Sequence, residues 1–234
     1  MIEAFIASFS LPLIWAYYFY KRDCHPEPIS YLVFAFFLGI VAAFLSAFFQ
    51  GLLFDLLKID INSPKSNPLF LLIAVVIEEF FKFFVVFLLI FPLKIFDEPV
   101  DAMIYMIFSA FGFAFIENLF YLIGLENQTQ INLNPLLLVF LRFLSPNFLH
   151  IIASALIGFG YAYMTQTRNF LVFLISFLGA SFLHFIHNYF IIKLVVGIHL
   201  IIPVLWGVFL IVLSEIHLLE TKYERRIANL KPYA

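Results

Sequence analysis

Seven stretches of the chain each carry close to 20 consecutive, mainly apolar residues, and that repetition limits the solvents in which the chain can fold. A hydrocarbon core about 30 Å thick is crossed by about 20 residues of helix. The stretches run from about residue 4 to 20, 29 to 57, 69 to 91, 100 to 123, 136 to 164, 170 to 192 and 198 to 216. Polar segments separate them, among them KIDINSPKSNP, the acidic turn FDEP and ENQTQINLNP. Backbone groups in lipid need partners within the chain, so these stretches are expected to be helices. The expected fold is an all-α, polytopic transmembrane helix bundle of about seven spans, forming a single domain over residues 1–234.

Composition supports that solvent and removes other classes. The chain is 64% hydrophobic and 12% charged, where soluble domains are roughly 45–50% apolar and about 25% charged. Its 34 phenylalanines are spread along all the spans. A net charge of −2 without a basic stripe gives no footprint for nucleic acid. Cys24 is the only cysteine, which excludes an intrachain disulfide and a cysteine-rich metal site. The N-terminus lacks a basic signal-peptide region, so the first stretch is expected to be retained as a span. Asn127 and Thr129 match a glycosylation sequon, which we take as chance.

Basic residues in short loops set orientation. With seven spans, Lys21, Arg22, Lys94, Arg168, Lys222, Arg225, Arg226 and Lys231 fall on one side, and Lys58, Lys65 and Lys193 on the other. The expectation is an integral plasma-membrane protein with its N-terminus outside and its tail cytoplasmic.

The residues that do not belong in lipid are the informative ones. Span three contains Glu78, Glu79 and Lys82, span four Glu117 and Asn118, span five Arg142 and His150, and span six His184, His187 and Asn188. A charge at mid-helix costs about 2.5–3.5 kcal/mol, so these groups must pair or reach water. Helical spacing lets them meet: Glu78 and Lys82 lie four apart, Glu79 three from Lys82, and His184 shares a face with Asn188. At about 1.5 Å per residue, Glu78, Glu117 and His184 sit roughly 10–15 Å below the same membrane surface. His150 fits if Pro146 kinks or restarts its helix. Gly112 and Ala114 leave room for a neighbouring helix beside the Glu117 segment. Arg142 has two readings, a counter-ion or a snorkelling group. His187 reads as a satisfied core histidine, and Asn118 as a bond between helices. His199 and His217 look incidental.

Such a set suits the activation of water near a polarised carbonyl. A carboxylate among apolar helices makes a good general base, and histidine and asparagine can donate to an oxyanion. Two histidines with one or two glutamates could instead hold zinc with water in an open position, although H-E-x-x-H is absent. Neither a Ser-His-Asp nor a paired-Asp arrangement is evident in the spans.

Glu78-Glu79-Phe-Phe-Lys82 resembles the EExxK motif of the PrsW family of intramembrane proteases. Asp101 through Gly112, Phe113, Ala114, Glu117, Asn118 and Tyr121 resembles that family's second block, His150 with Gly158 and Gly160 its third, and His184-Phe-Ile-His-Asn188 its HxxxN motif. The resemblance spans about residues 70–190 and extends to the type II CAAX prenyl endopeptidases. Those enzymes differ in having arginine and histidine where this chain has Lys82 and Glu117.

The resemblance implies a glutamate-type endopeptidase, with a metal-dependent type also named for the family. By it, Glu78 and a histidine, His150 being the first choice, activate water. His184 and Asn188 stabilise the oxyanion, and Glu79 and Lys82 hold the helix in place. It also implies a membrane-anchored protein substrate in the lipid bilayer, of the anti-sigma-factor kind, and the depth of the polar residues with the expected orientation puts the cut near the outer leaflet. Two other functions use the same residues: a proton-coupled transporter or relay, and a non-catalytic membrane scaffold.

Overall fold

A computed structural model describes residues 2–22, 25–58, 67–96, 98–126, 134–193, 205–219 and 221. The chain is all-α across them. The helices are α1 (Ile2–Arg22), α2 (Ile29–Leu56), α3 (Pro68–Leu89), α4 (Asp101–Glu126), α5 (Pro135–Leu144), α6 (Pro146–Thr167) and α7 (Phe170–Lys193). A shorter α8 covers Leu205–Leu219. Ile29–Leu56, Asp101–Gly124, Val139–Thr167 and Phe170–Ile191 are long and apolar enough to cross a membrane. The third expected span is the 22-residue α3, which carries three charges. The seventh is described only as α8. Cys24, the sequon at Asn127, His199 and the basic tail lie outside the described residues.

Local sequence explains where the helices start. Asn67 caps α3 by accepting a hydrogen bond from the Leu69 amide at 3.0 Å, and Pro68 opens the first turn. Asn134 and Pro135 do the same for α5, with Leu136 N donating at 2.9 Å. The expected fifth span is broken in two. Ser145 has non-helical backbone angles (φ −128°, ψ −78°), and Pro146 begins α6. Proline lacks the N–H that would continue the α5 ladder, so the restart follows directly from the sequence.

Helix α4 is the axis of the bundle. Residues Ala102 to Ile107 are all at most 1% exposed, and α4 packs against α1, α2, α3 and α6. Two glycines set its closest crossing. A β-carbon on Gly39 of α2 would collide with the carbonyl of Ser109, and one on Gly112 of α4 with the carbonyl of Phe36. Gly158 of α6 lies against Ala102 and Met103, where a β-carbon would come within 2.6 Å of backbone. Small residues let membrane helices gain packing and weak backbone contacts that bulkier ones would block. The outer surface is its counterpart. On α7, Leu171, Ile175, Leu178 and Phe182 recur at three- and four-residue spacing and are all more than half exposed. Ala180, Ser181, His184 and His187 are buried, away from that stripe. Such a stripe is stable against acyl chains and costly against water.

The glycine crossing predicts a pair of opposite outcomes. Gly112→Val overpacks the α2–α4 crossing and should destabilise the protein by about 1–3 kcal/mol or more. Gly51→Ala meets no atom within 4 Å and should stabilise α2 by about 0.5–1 kcal/mol. Unfolding in detergent measures both, and an unchanged stability for Gly112→Val would refute the crossing.

Candidate active site

Five helices, α3 to α7, bring most of the intramembrane polar residues into one network. Its centre is Glu79 on α3, which is fully buried, as is Lys82 one turn later. The Lys82 ammonium donates to Glu79 Oε1 at 2.6 Å. His184 of α7 reaches the same oxygen from the other side, with Nδ1 at 2.7 Å. A carboxylate oxygen can only accept, so His184 Nδ1 carries the proton there. The second oxygen, Oε2, is buried without a hydrogen-bond partner.

Lys82 also connects to α6. Its ammonium lies 3.1 Å from His150 Nδ1. An ammonium has no lone pair, so Nδ1 accepts, and His150 Nε2–H then donates to Glu117 Oε2 on α4 at 2.7 Å. Arg142 of α5 completes this arm. Its Nη2 is 3.2 Å from Glu117 Oε2, and its Nε donates to Asn118 Oδ1 at 2.6 Å. Aromatic faces support both cations, with Lys82 Nζ 4.8 Å from the Phe113 ring centre and the Arg142 guanidinium 4.5 Å from that of Tyr121. The rings of His150 and His184 meet edge to face at 4.8 Å.

Glu78 stands apart from its neighbour in both exposure and partners. Its side chain is 21% exposed. Oε1 accepts from Gln50 Nε2 of α2 at 3.2 Å, and Oε2 lies 3.7 Å from His184 Nε2. Gln50 also donates to the Ala74 carbonyl at 3.2 Å, so it fixes Glu78 against the α3 backbone.

Several expectations can be placed on this geometry. The restart at Pro146 carries His150 to Glu117, as the depth argument required. His150 nevertheless pairs with Glu117 and Lys82, and the histidine beside Glu78 is His184, which corrects the first choice of partner. Arg142 is 8% exposed and acts as a counter-ion, not as a snorkelling group. Asn118 bonds across helices as expected. His187 is buried and hydrogen-bonded to Ser145 and Asn188. Asp101 lies about 24 Å along α4 from Glu117, where it accepts from the Glu98 amide, so the site does not include it. Gln50 and Ser145 are polar residues that the sequence reading passed over; neither is charged, and only their position in apolar stretches marked them.

Glu79, His150 and His184 each offer a ligand atom, all within 4.8 Å of one another. Two imidazoles and a carboxylate are the donor types that zinc prefers. Lys82 opposes that use. Its ammonium is within hydrogen-bonding distance of two of the three groups, so a divalent ion at their centre would face a fixed positive charge without solvent to screen it. As arranged, two of the three groups already hold the Lys82 ammonium, which a divalent ion at their centre would have to displace.

The buried pair yields a test. Lys82→Met should cost about 3–5 kcal/mol, because it strands the Glu79 carboxylate. Glu79→Gln/Lys82→Met should recover at least about 1 kcal/mol of the summed single losses. Denaturant unfolding in micelles measures the cycle, and strictly additive losses would show that the pair does not interact.

Comparison with known proteins places this chain in a family. A family model described as PrsW family intramembrane metalloprotease matches residues 27–214. A protein named Protease PrsW from Geobacillus kaustophilus is 29% identical over 177 residues, covering 74% of this chain and 72% of the relative. One of that name from Bacillus subtilis is 31% identical over 143 residues, 61% of this chain and 60% of its own. Another from Oceanobacillus iheyensis is 29% identical over 195 residues, 81% and 83%. No solved structure gives a significant match. The matched segment holds every helix of the polar network, and the chain belongs to the PrsW family of intramembrane proteases.

Proposed function

We propose that this protease uses Glu78 as the base that activates water, and that it cuts a membrane-anchored regulatory protein near the outer leaflet of the plasma membrane. The observation that carries the assignment is the inequality of two adjacent glutamates. Glu79 is sealed and holds Lys82 and His184, whereas Glu78 is partly open and accepts from the neutral amide of Gln50. A carboxylate neutralised by a contact cation makes a poor base, while one that faces a neutral donor keeps its basicity. A water held between Glu78 and the His184 ring would lose its proton to Glu78 as its oxygen attacks the scissile carbonyl carbon. Glu78 then returns that proton to the departing amine as the C–N bond breaks. Asn188, one turn beyond His184 on α7, is the donor for the oxyanion.

The remaining groups position these. Glu79 fixes the His184 ring, and Lys82, His150, Glu117, Arg142 and Asn118 lock α3, α4, α5 and α6 around it. The outer-leaflet location rests on the distribution of basic residues, which puts the N-terminus outside. The anti-sigma-factor kind of substrate rests on the family resemblance. No metal ion takes part in this reading, because the place that two imidazoles and Glu79 would offer one is held by Lys82.

Two measurements test it. Glu78→Gln keeps the partner of Gln50, so stability should stay near wild type while cleavage of a reconstituted single-span substrate falls by about 10²–10⁴-fold. Retained cleavage would end the assignment of Glu78. Metal analysis of active protein should find less than one ion per chain, with full cleavage in the presence of a chelator. A stoichiometric ion lost together with activity would replace the metal-free mechanism.

A further inference from the structure

We propose that Ser145 and His187 form a relay that orients the amide of Asn188, so that its NH₂ end and not its oxygen faces the reacting carbonyl. The proposal rests on the reading of Asn188 as the oxyanion donor, and it adds what holds that donor the right way round. An asparagine amide has almost the same shape when flipped, so its hydrogen bonds decide which end points where. A flipped amide would set an acceptor oxygen against the oxyanion and repel it.

The geometry supplies the missing constraint. Asn188 Oδ1 lies 3.0 Å from His187 Nδ1. Among the described residues the buried Ser145 hydroxyl has only His187 Nε2, 2.8 Å away, to receive its hydrogen, so that nitrogen keeps its lone pair. In a neutral ring Nδ1 then carries the proton and donates to the Asn188 amide oxygen. The Ser145 hydroxyl therefore donates to His187, His187 donates to Asn188, and the two Nδ2 hydrogens are what Asn188 can offer to a substrate. The first two members are anchored. Ser145 is 4% and His187 1% exposed, while Asn188 is half-buried. Ser145 sits where α5 ends and α6 begins, its backbone set by both helices. Its side chain makes no capping bond to α6, although serine at that place commonly does. The hydroxyl is committed to His187 instead. On α7, one turn before Asn188, His184 is held by Glu79 of α3, the neighbour of the base Glu78, so relay and base are tied through the contact of α7 with α3.

The test uses the full chain in liposomes with a membrane-anchored peptide substrate. Ser145→Val and Ser145→Thr match in shape and differ in the hydroxyl, so the pair separates orientation from packing even where Ser145→Ala fails to fold. Ser145→Val should lower kcat by about 10-fold with KM within about twofold, since orientation acts on the transition state. Ser145→Thr should stay within about threefold of wild type. Asn188→Ala should lower kcat by about 10²–10³-fold, and adding Ser145→Val to it should cost nothing more, because the relay then has nothing to orient. Equal activity of the Thr and Val variants would overturn the relay, as would multiplying losses in the double variant. Covalent capture of Ser145 by a fluorophosphonate would overturn it too, since an orienting hydroxyl does not attack. Full activity of Asn188→Ala alongside an inactive Glu78→Gln would sink the relay and leave Glu78 as the base.

Discussion

The polar network at the centre of this bundle is arranged around one ammonium group. Lys82 has no access to water, and lipid on every side would make its charge intolerable. It is kept by Glu79 at 2.6 Å and by the lone pair of His150 at 3.1 Å. Those two contacts have consequences at a distance. Fixing the Lys82–His150 bond assigns the hydrogen of His150 to Nε2, which then must find an acceptor, and Glu117 provides it. Glu117 in turn needs a compensating charge, and Arg142 supplies one. One lysine thus fixes the proton position on α6 and, through it, engages Glu117 of α4 and Arg142 of α5, and its removal would unsettle groups that it never touches.

The backbone has to permit this convergence before the side chains can exploit it. Glycine at 39 and 112 lets α2 and α4 approach until each lacks room for a β-carbon, and that draws Gln50 of α2 and Glu117 of α4 toward α3. The Ser145–Pro146 break does comparable work. A straight helix from residue 136 would carry His150 about 21 Å below the surface, deeper than its partners. Restarting at Pro146 puts His150 in the second turn of a new helix, within reach of Lys82.

Much of this was legible in the sequence because membranes make polar residues conspicuous. Glu78, Glu79, Lys82, Glu117, Arg142, His150 and His184 could be singled out by cost alone, and a common depth followed from alternating helix direction. The pairings were harder. Spacing on one helix shows that Lys82 can serve either glutamate, and the choice of Glu79 depends on the rotation of α3 against α7, which no local pattern encodes. The same limit applies to His150 and His184: both lie at suitable depth, and only the packing of α6 and α7 decides which ring faces Glu78. Gln50 and Ser145 were harder still, since a neutral polar residue in an apolar helix is inexpensive enough to have many explanations.

The adjacent glutamates show how one helix can hold two carboxylates in unlike surroundings. Consecutive residues on a helix point about 100° apart, so Glu78 and Glu79 cannot share an environment. One faces the dry interior, where ionisation is possible because a cation and an imidazole donor surround it. The other lies between α2 and α7, 21% exposed, with the neutral amide of Gln50 as its donor and His184 Nε2 3.7 Å away. Glu79 is compensated by Lys82 and His184, whereas Glu78 has the neutral amide of Gln50 as its hydrogen-bond donor. Exchanging these two environments would require turning α3 about its own axis by roughly 100°.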